Sequence, residues 1–223
     1  MKLALLAILL CFTLYSCSTE TTREYTYEEN LASCTKKLTR LPNNVDTTAL
    51  KVAESEFKTE LRIRECMKGS NGPDFMLKTD QGDSVSTKPK QGKAMVLFFW
   101  ATVPGAPISH VKSNAASLAA MNALYHEYKG KVDFLGFPFD IPAVKEEYLR
   151  EHPLDFPQAD NQKGTNTTFY KAVSPSSYPY VIFIDTRGKV VQISSGSFTP
   201  TSEIIAVYSP IIQTCIDNKP YND

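Results

Sequence analysis

The chain has 223 residues, enough for one sizeable domain with additions. At 42% hydrophobic and 22% charged it has the composition of a globular protein, not of a disordered one. Lys plus Arg equals Asp plus Glu at 24 each, so the charge gives no support to nucleic-acid binding, and no basic arm or acidic tail stands out.

The first residues read as a targeting segment. Lys2 supplies a minimal positive start, and Leu3 to Leu14 form an apolar run shorter than the roughly 20 residues a bilayer span requires. Leu14-Tyr15-Ser16-Cys17 then has an apolar residue, a small residue and a cysteine at lipobox spacing. This pattern resembles that of bacterial lipoproteins. The resemblance implies a signal peptide over residues 1–16, cleavage before Cys17 and acylation of that cysteine, with more than one acyl chain giving stable anchoring. Ser18, in place of an aspartate, fits outer-membrane sorting by the same resemblance, with the body facing the periplasm or the exterior.

Residues 17–30, rich in Thr and Glu without apolar period, read as a tether. Extended, the 13 residues after Cys17 reach roughly 40 Å. Residues 31–68 read as a helical N-terminal extension. Asp46 can cap a helix running to about Cys66, with Leu50, Ala53, Phe57 and Leu61 on one face, set to pack on the main domain.

Residues 69–223 carry the main domain. Phe75 to Leu77 reads as a short strand before a Gln81-Gly82-Asp83 turn. The run AMVLFFWA, Ala94 to Ala101, suits a central strand buried on both faces. Pro107 to Tyr128 is helical, with Val111, Ala115, Leu118, Asn122 and Tyr125 in register and Gly130 as a stop. Val132 to Phe139 reads as a second, parallel strand ending at Asp140, and Pro142 opens a helix to about His152. A short helix spans about Thr167 to Val173. Tyr180 to Asp185, the turn Thr186-Arg187-Gly188 and Lys189 to Ser194 form a hairpin. A last helix runs from about Thr201 to Thr214, kinked or interrupted at Pro210. Parallel strands joined by helices, then an antiparallel pair, specify an α/β layered sandwich with a mixed sheet.

Three dispersed motifs carry a resemblance. Gly92 to Thr102 is similar to the glycine-lysine, apolar run and FWAT segment of the TlpA/ResA branch of the thioredoxin-like superfamily. Gly72-Pro73-Asp74-Phe75 resembles that branch's APDF entry motif. Ser177 to Asp185 followed by Gly188 resembles the stretch around its cis-proline. The resemblance spans about Gly69 to Thr214 and implies a thioredoxin-like three-layer fold, with Pro179 at the cis-proline position. In the family, FWAT is followed by one residue and then Cys-Pro-Pro-Cys. Here Val103 is followed by Pro104-Gly105-Ala106-Pro107, so Pro104 and Pro107 stand at the two cysteine positions. No cysteine lies between Cys66 and Cys215. Disulfide exchange needs a thiolate, and proline supplies no sulfur, yet it is well tolerated in a helix's first turn. The implied scaffold is kept and its reaction removed, so no catalytic residue is expected at that site. Trp100, Val103, Pro104, Pro107, Tyr178 and Pro179 would cluster there as a rigid apolar surface, either a docking groove for a protein or peptide of the cell envelope or simply fold-specifying residues.

After loss of Cys11 and acylation of Cys17, Cys34, Cys66 and Cys215 remain. Export to an oxidising compartment permits a disulfide. Cys34–Cys66, Cys66–Cys215 and no bridge at all stay open, and the first would close a loop of ~33 residues and add about 3–4 kcal/mol in the chain-entropy model. These thiols leave room for an oxidoreductase working through Cys66 with Cys34 or Cys215, and the extension for a structural part of an envelope assembly. His110, His126 and His152 match no metal-ligand spacing. Asp140 reads as a helix cap, Asn166-Thr167-Thr168 as a sequon without meaning in a lipoprotein, and no phosphate loop or serine nucleophile implies a cofactor.

Overall fold

A computed structural model describes residues 24–38, 49–90, 92–102, 108–140, 142–160, 166–173, 175, 177–196 and 200–218. Helices α1 (Tyr27–Leu38) and α2 (Ala49–Met67) precede a hairpin of β1 (Met76–Lys78) and β2 (Ser84–Ser86). Then follow β3 (Ala94–Trp100), α3 (Ile108–Tyr128), β4 (Val132–Pro138), α4 (Pro142–Glu151), α5 (Thr167–Val173), β5 (Tyr180–Ile184), β6 (Val190–Ser195) and α6 (Thr201–Asp217). Among the described residues no helix is long and apolar enough to cross a membrane.

The sheet order is β4-β3-β5-β6, with β3 parallel to β4 and β5 and β6 antiparallel. The apolar run of β3 is buried at all seven positions because both faces are covered. Ala94, Val96, Phe98 and Trp100 point into one core with α3 and α6. Met95, Leu97 and Phe99 point into the other, with Tyr27, Met67 and Phe169 of α1, α2 and α5. This is the three-layer mixed sandwich the strand and helix order specifies. Beyond β4, the amide of Gly136 donates to Pro157 and that of Ala159 to Gly136, while Asp160 donates to Lys78. The β1–β2 hairpin is thereby joined to the main sheet.

The extension departs from expectation in two ways. Helix α1 begins inside the polar stretch expected to be a tether. Thr26 and Glu29 form a reciprocal capping box: the Glu29 amide donates to Thr26 Oγ1, and the Thr26 amide to Glu29 Oε2. Second, the expected packing face of α2 is turned outward, Phe57 being 58% and Leu61 42% exposed. The side chains of Leu50 and Ala53, and Asp46 altogether, lie outside the described residues. The inward side is Ile63, Arg64 and Met67, where buried Arg64 donates to Glu60 and to Ser195 of β6. Of the cysteine pairings left open by the sequence, Cys34–Cys66 is the one formed, with Cα atoms 5.9 Å apart, and it staples α1 to α2.

Two helices of the main domain also differ in detail. Helix α6 runs unbroken through Pro210, because Ile204, Tyr208, Ile211, Ile212 and Cys215 bury one continuous stripe whose packing outweighs the lost N–H. The buried side of α3 includes Ser117, Ala120, Met121 and Leu124 beside Leu118, while Val111 is exposed.

Candidate functional site

The ends of β3 and β4 and the start of β5 lie together at one pole of the sheet. Past the strand ends the Phe139 amide still donates to the Trp100 carbonyl at 2.9 Å, and side chains hold the backbone beyond it. Asp140 Oδ2 accepts from the Thr102 amide and so ties the chain just past β3 to the chain just past β4. Asn114 Nδ2 donates to the Ala101 carbonyl at 2.7 Å, and Tyr170 Oη to the Pro138 carbonyl at 3.1 Å. The Tyr178–Pro179 peptide bond is cis, and the Pro179 carbonyl accepts from the Gly196 amide at 3.0 Å.

On this frame Phe139, the first residue past β4, stacks on Tyr178 with ring centroids 5.1 Å apart. Phe139 is 62% exposed. Burial first, and then the Asp140 carboxylate, push the Tyr178 hydroxyl up to about 12, so it stays a neutral hydrogen-bond donor at any physiological pH. The same two influences raise Tyr148, which lies beside Asp140, with Asn114 opposing. Among the described residues, the surface thus sets the aromatic rings of Phe139 and Tyr178 beside the Asp140 carboxylate.

Of the residues singled out from sequence, the structure brings Tyr178, half-buried, to this surface, with Pro179 buried beneath it. It does not bring Trp100, which is 0% exposed, stacks on Tyr148 and donates from Nε1 to Gln158 Oε1 at 3.1 Å. The indole is a core element beneath the pole, because a buried N–H must find a partner and Gln158 supplies it. Val103, Pro104 and Pro107 lie outside the described residues, as does Cys17. Phe139 was not singled out from sequence. Its signal is the proline before it: Pro138 ends the strand, so the apolar residue after it need not be a core residue.

Neither remaining cysteine feature lies at this pole. Cys215 is buried in α6, where burial and then Asp185 raise its thiol. Asp185 follows the end of β5, and that end pairs with Met95 at the start of β3, the opposite pole. The Cys34–Cys66 disulfide is in the extension. Among the described residues no group of three or more His, Cys, Asp or Glu side chains is arranged to hold a metal. His126 instead pairs with exposed Asp155 at 2.7 Å. Asn166 donates to the carbonyls of Lys78 and Asp160, a structural role for the sequon's first residue.

An AhpC/TSA family model matches residues 69–193, from the end of α2 into β6. The chain belongs to the AhpC/TSA family. Among its relatives, the thioredoxin-like protein YneN of Bacillus subtilis is 29% identical over 159 residues, covering 70% of this chain and 85% of that protein. The thiol-disulfide oxidoreductase ResA of Halalkalibacterium halodurans is 25% identical over 133 residues, 59% of this chain and 70% of the relative. The fold is shared with a DsbE-type thiol:disulfide interchange protein of Chlorobium tepidum, at a TM-score of 0.52 and 24% identity over 67% of this chain and 97% of that one. It is also shared with the C-terminal domain of a thiol-disulfide oxidoreductase from Bacteroides thetaiotaomicron, at a TM-score of 0.50 and 20% identity over 66% and 96% of the two chains. This AhpC/TSA member is thus a thioredoxin-like protein with thiol-disulfide oxidoreductases among its relatives.

Proposed function

We propose that this chain is a cell-envelope lipoprotein, anchored through acylated Cys17, whose thioredoxin-like domain docks an extended segment of another envelope protein and exchanges no disulfide at the usual site. The observation that carries the reading is the fate of the thiols. Prolines occupy the two family cysteine positions, and the three cysteines left after maturation are a disulfide in the extension and a buried thiol beside Asp185. A thiolate nucleophile needs exposure and stabilisation of its negative charge. Cys66 sits in the last turn of α2, at the negative end of the helix, which opposes a thiolate. The oxidoreductase reading through Cys34 and Cys66 is weakened for that reason.

Docking is supported by what the pole retains. The cis-Pro179 loop, the exposed Phe139–Tyr178 stack and the capped strand ends form a fixed aromatic surface, on which an extended peptide gains contact area at little ordering cost. The test is disulfide reduction of insulin by the purified protein, beside the variant carrying Pro104→Cys and Pro107→Cys. The natural sequence is expected to be inert and the restored one to turn over. Turnover by the natural sequence that disappears in Cys66→Ser would make the protein an enzyme and overturn the reading.

A further inference from the structure

The chain enters the domain at one pole, and the candidate docking surface lies at the other. Glu24 is held by Lys189 Nζ at 3.1 Å, and the same ammonium donates to Asn71 Oδ1 at 2.6 Å. Asn71 Nδ2 in turn donates to the Tyr25 carbonyl at 2.8 Å. These contacts fix Glu24 and Tyr25 against the start of β6, beside the Thr186–Gly188 turn. That turn follows Ile184, which pairs with Met95 at the start of β3, whereas Tyr180, next to Pro179, pairs with Phe99 at its end. The two poles are thus separated by the length of β3, about 20 Å at ~3.3 Å per residue, plus the loops beyond each end.

The tether length then sets the orientation. From Cys17 to Glu24 there are seven Cα–Cα steps, which reach at most roughly 25 Å. A folded body of this size is about 40 Å across. For the Phe139–Tyr178 surface to touch the bilayer that holds Cys17, the tether would have to run back along the whole body, and it is too short. We infer that the pole carrying Glu24, Tyr25 and the Thr186–Gly188 turn is the membrane-facing surface of the anchored protein. The Phe139–Tyr178 surface is held away from that bilayer and is open only to partners arriving from the aqueous side. This rests on the reading that Cys17 is acylated.

The chemistry of the membrane-facing pole agrees with contact with a bilayer. A cleft of about 440 Å³ there is lined by Tyr25, Pro73, Phe75, Lys88, Pro89 and Arg187, among others. Exposed Tyr25 suits the bilayer interface. Of the cations lining that cleft, Lys88 is paired with Asp74 and Arg187 with Asp185, while exposed Lys90, Lys129 and Lys131 beside the starts of β3 and β4 add positive charge to the same pole.

The experiment uses the full-length acylated protein in vesicles of phosphatidylethanolamine and phosphatidylglycerol. A fluorophore is placed at Arg187→Cys in one sample and at Phe139→Cys in another, and quenching by headgroup-attached nitroxide is measured. Native Cys34 and Cys66 are bonded and Cys215 is buried, so they do not compete for label. Strong quenching at 187 and little at 139 are expected. Equal quenching at both positions, or stronger quenching at 139, overturns the orientation while membrane flotation that depends on Cys17 leaves the anchor standing. Flotation unchanged by Cys17→Ser removes the anchor itself and the inference with it.

Discussion

Gly136 shows how little room the docking pole leaves. It lies in the middle of β4, and a Cβ added there would meet the Gln158 side-chain oxygen at 2.0 Å. That oxygen is the acceptor for the Trp100 indole, and Gln158 Nε2 donates to the Phe156 carbonyl at 2.9 Å. Glycine is required here for close approach, not for backbone freedom. Gly136→Ala is expected to expel Gln158 and leave the buried indole N–H unpaired, at a cost of at least about 2 kcal/mol. Trp100 is the chain's one tryptophan, so guanidinium unfolding followed by its fluorescence reads both the midpoint and the changed indole environment. An unshifted midpoint with an unchanged emission maximum would show that Gln158 does not hold the tryptophan.

At the level of elements, what was legible in the sequence is what hydrophobic pattern alone decides. The AMVLFFWA run has no polar residue to place on a wet face, so β3 could be nothing but central. The Thr186–Gly188 turn between two apolar runs gives the β5–β6 hairpin in the same way. Helix α1 was hidden because its residues are polar, although Thr26 and Glu29 stand at capping-box spacing. The inward side of α2 was misread because Arg64, a charged residue, is the buried one, held by Glu60 and by Ser195 far along the chain. No local periodicity reports a partner that distant. Phe139 escaped for a related reason: whether an apolar residue just past a strand is core or surface depends on what packs over it.

The staple between α1 and α2 has a measurable consequence. It closes a segment with a sequence separation of 32 that contains the 39–48 stretch. The double variant Cys34→Ala, Cys66→Ala is expected to lose about 3–4 kcal/mol, mainly because the unfolded chain is no longer constrained. Because α1 also buries Tyr27 in the core under the sheet, the loss is expected to fall on the whole cooperative transition. Denaturant unfolding checks this. A lower midpoint with a single transition is the expected result. A separate early transition that leaves the main midpoint in place would instead mean that the extension unfolds on its own.

For the whole molecule, the informative group is Cys215. It is almost fully buried in the core that α6 shares with α3 and the strands. Burial, and secondarily Asp185, hold its thiol protonated well above the ordinary thiol range. The unfolded chain releases that proton near its ordinary value while the folded chain keeps it, so above about pH 9 the unfolded state binds fewer protons. Stability is therefore fully present below the unfolded pKa and declines as pH rises beyond it. Alkylation by iodoacetamide needs the thiolate, so it requires an opening that lifts α6 from the core. If the domain opens only as a unit, the free energy of opening from labelling rates will equal that from denaturant unfolding, with the same dependence on guanidinium. Pro210 provides the competing route, since it removes one backbone hydrogen bond from the middle of α6. Faster labelling with a shallow denaturant dependence, slowed again in Pro210→Ala, would show that the C-terminal half of α6 detaches locally, and that the domain is not one cooperative body.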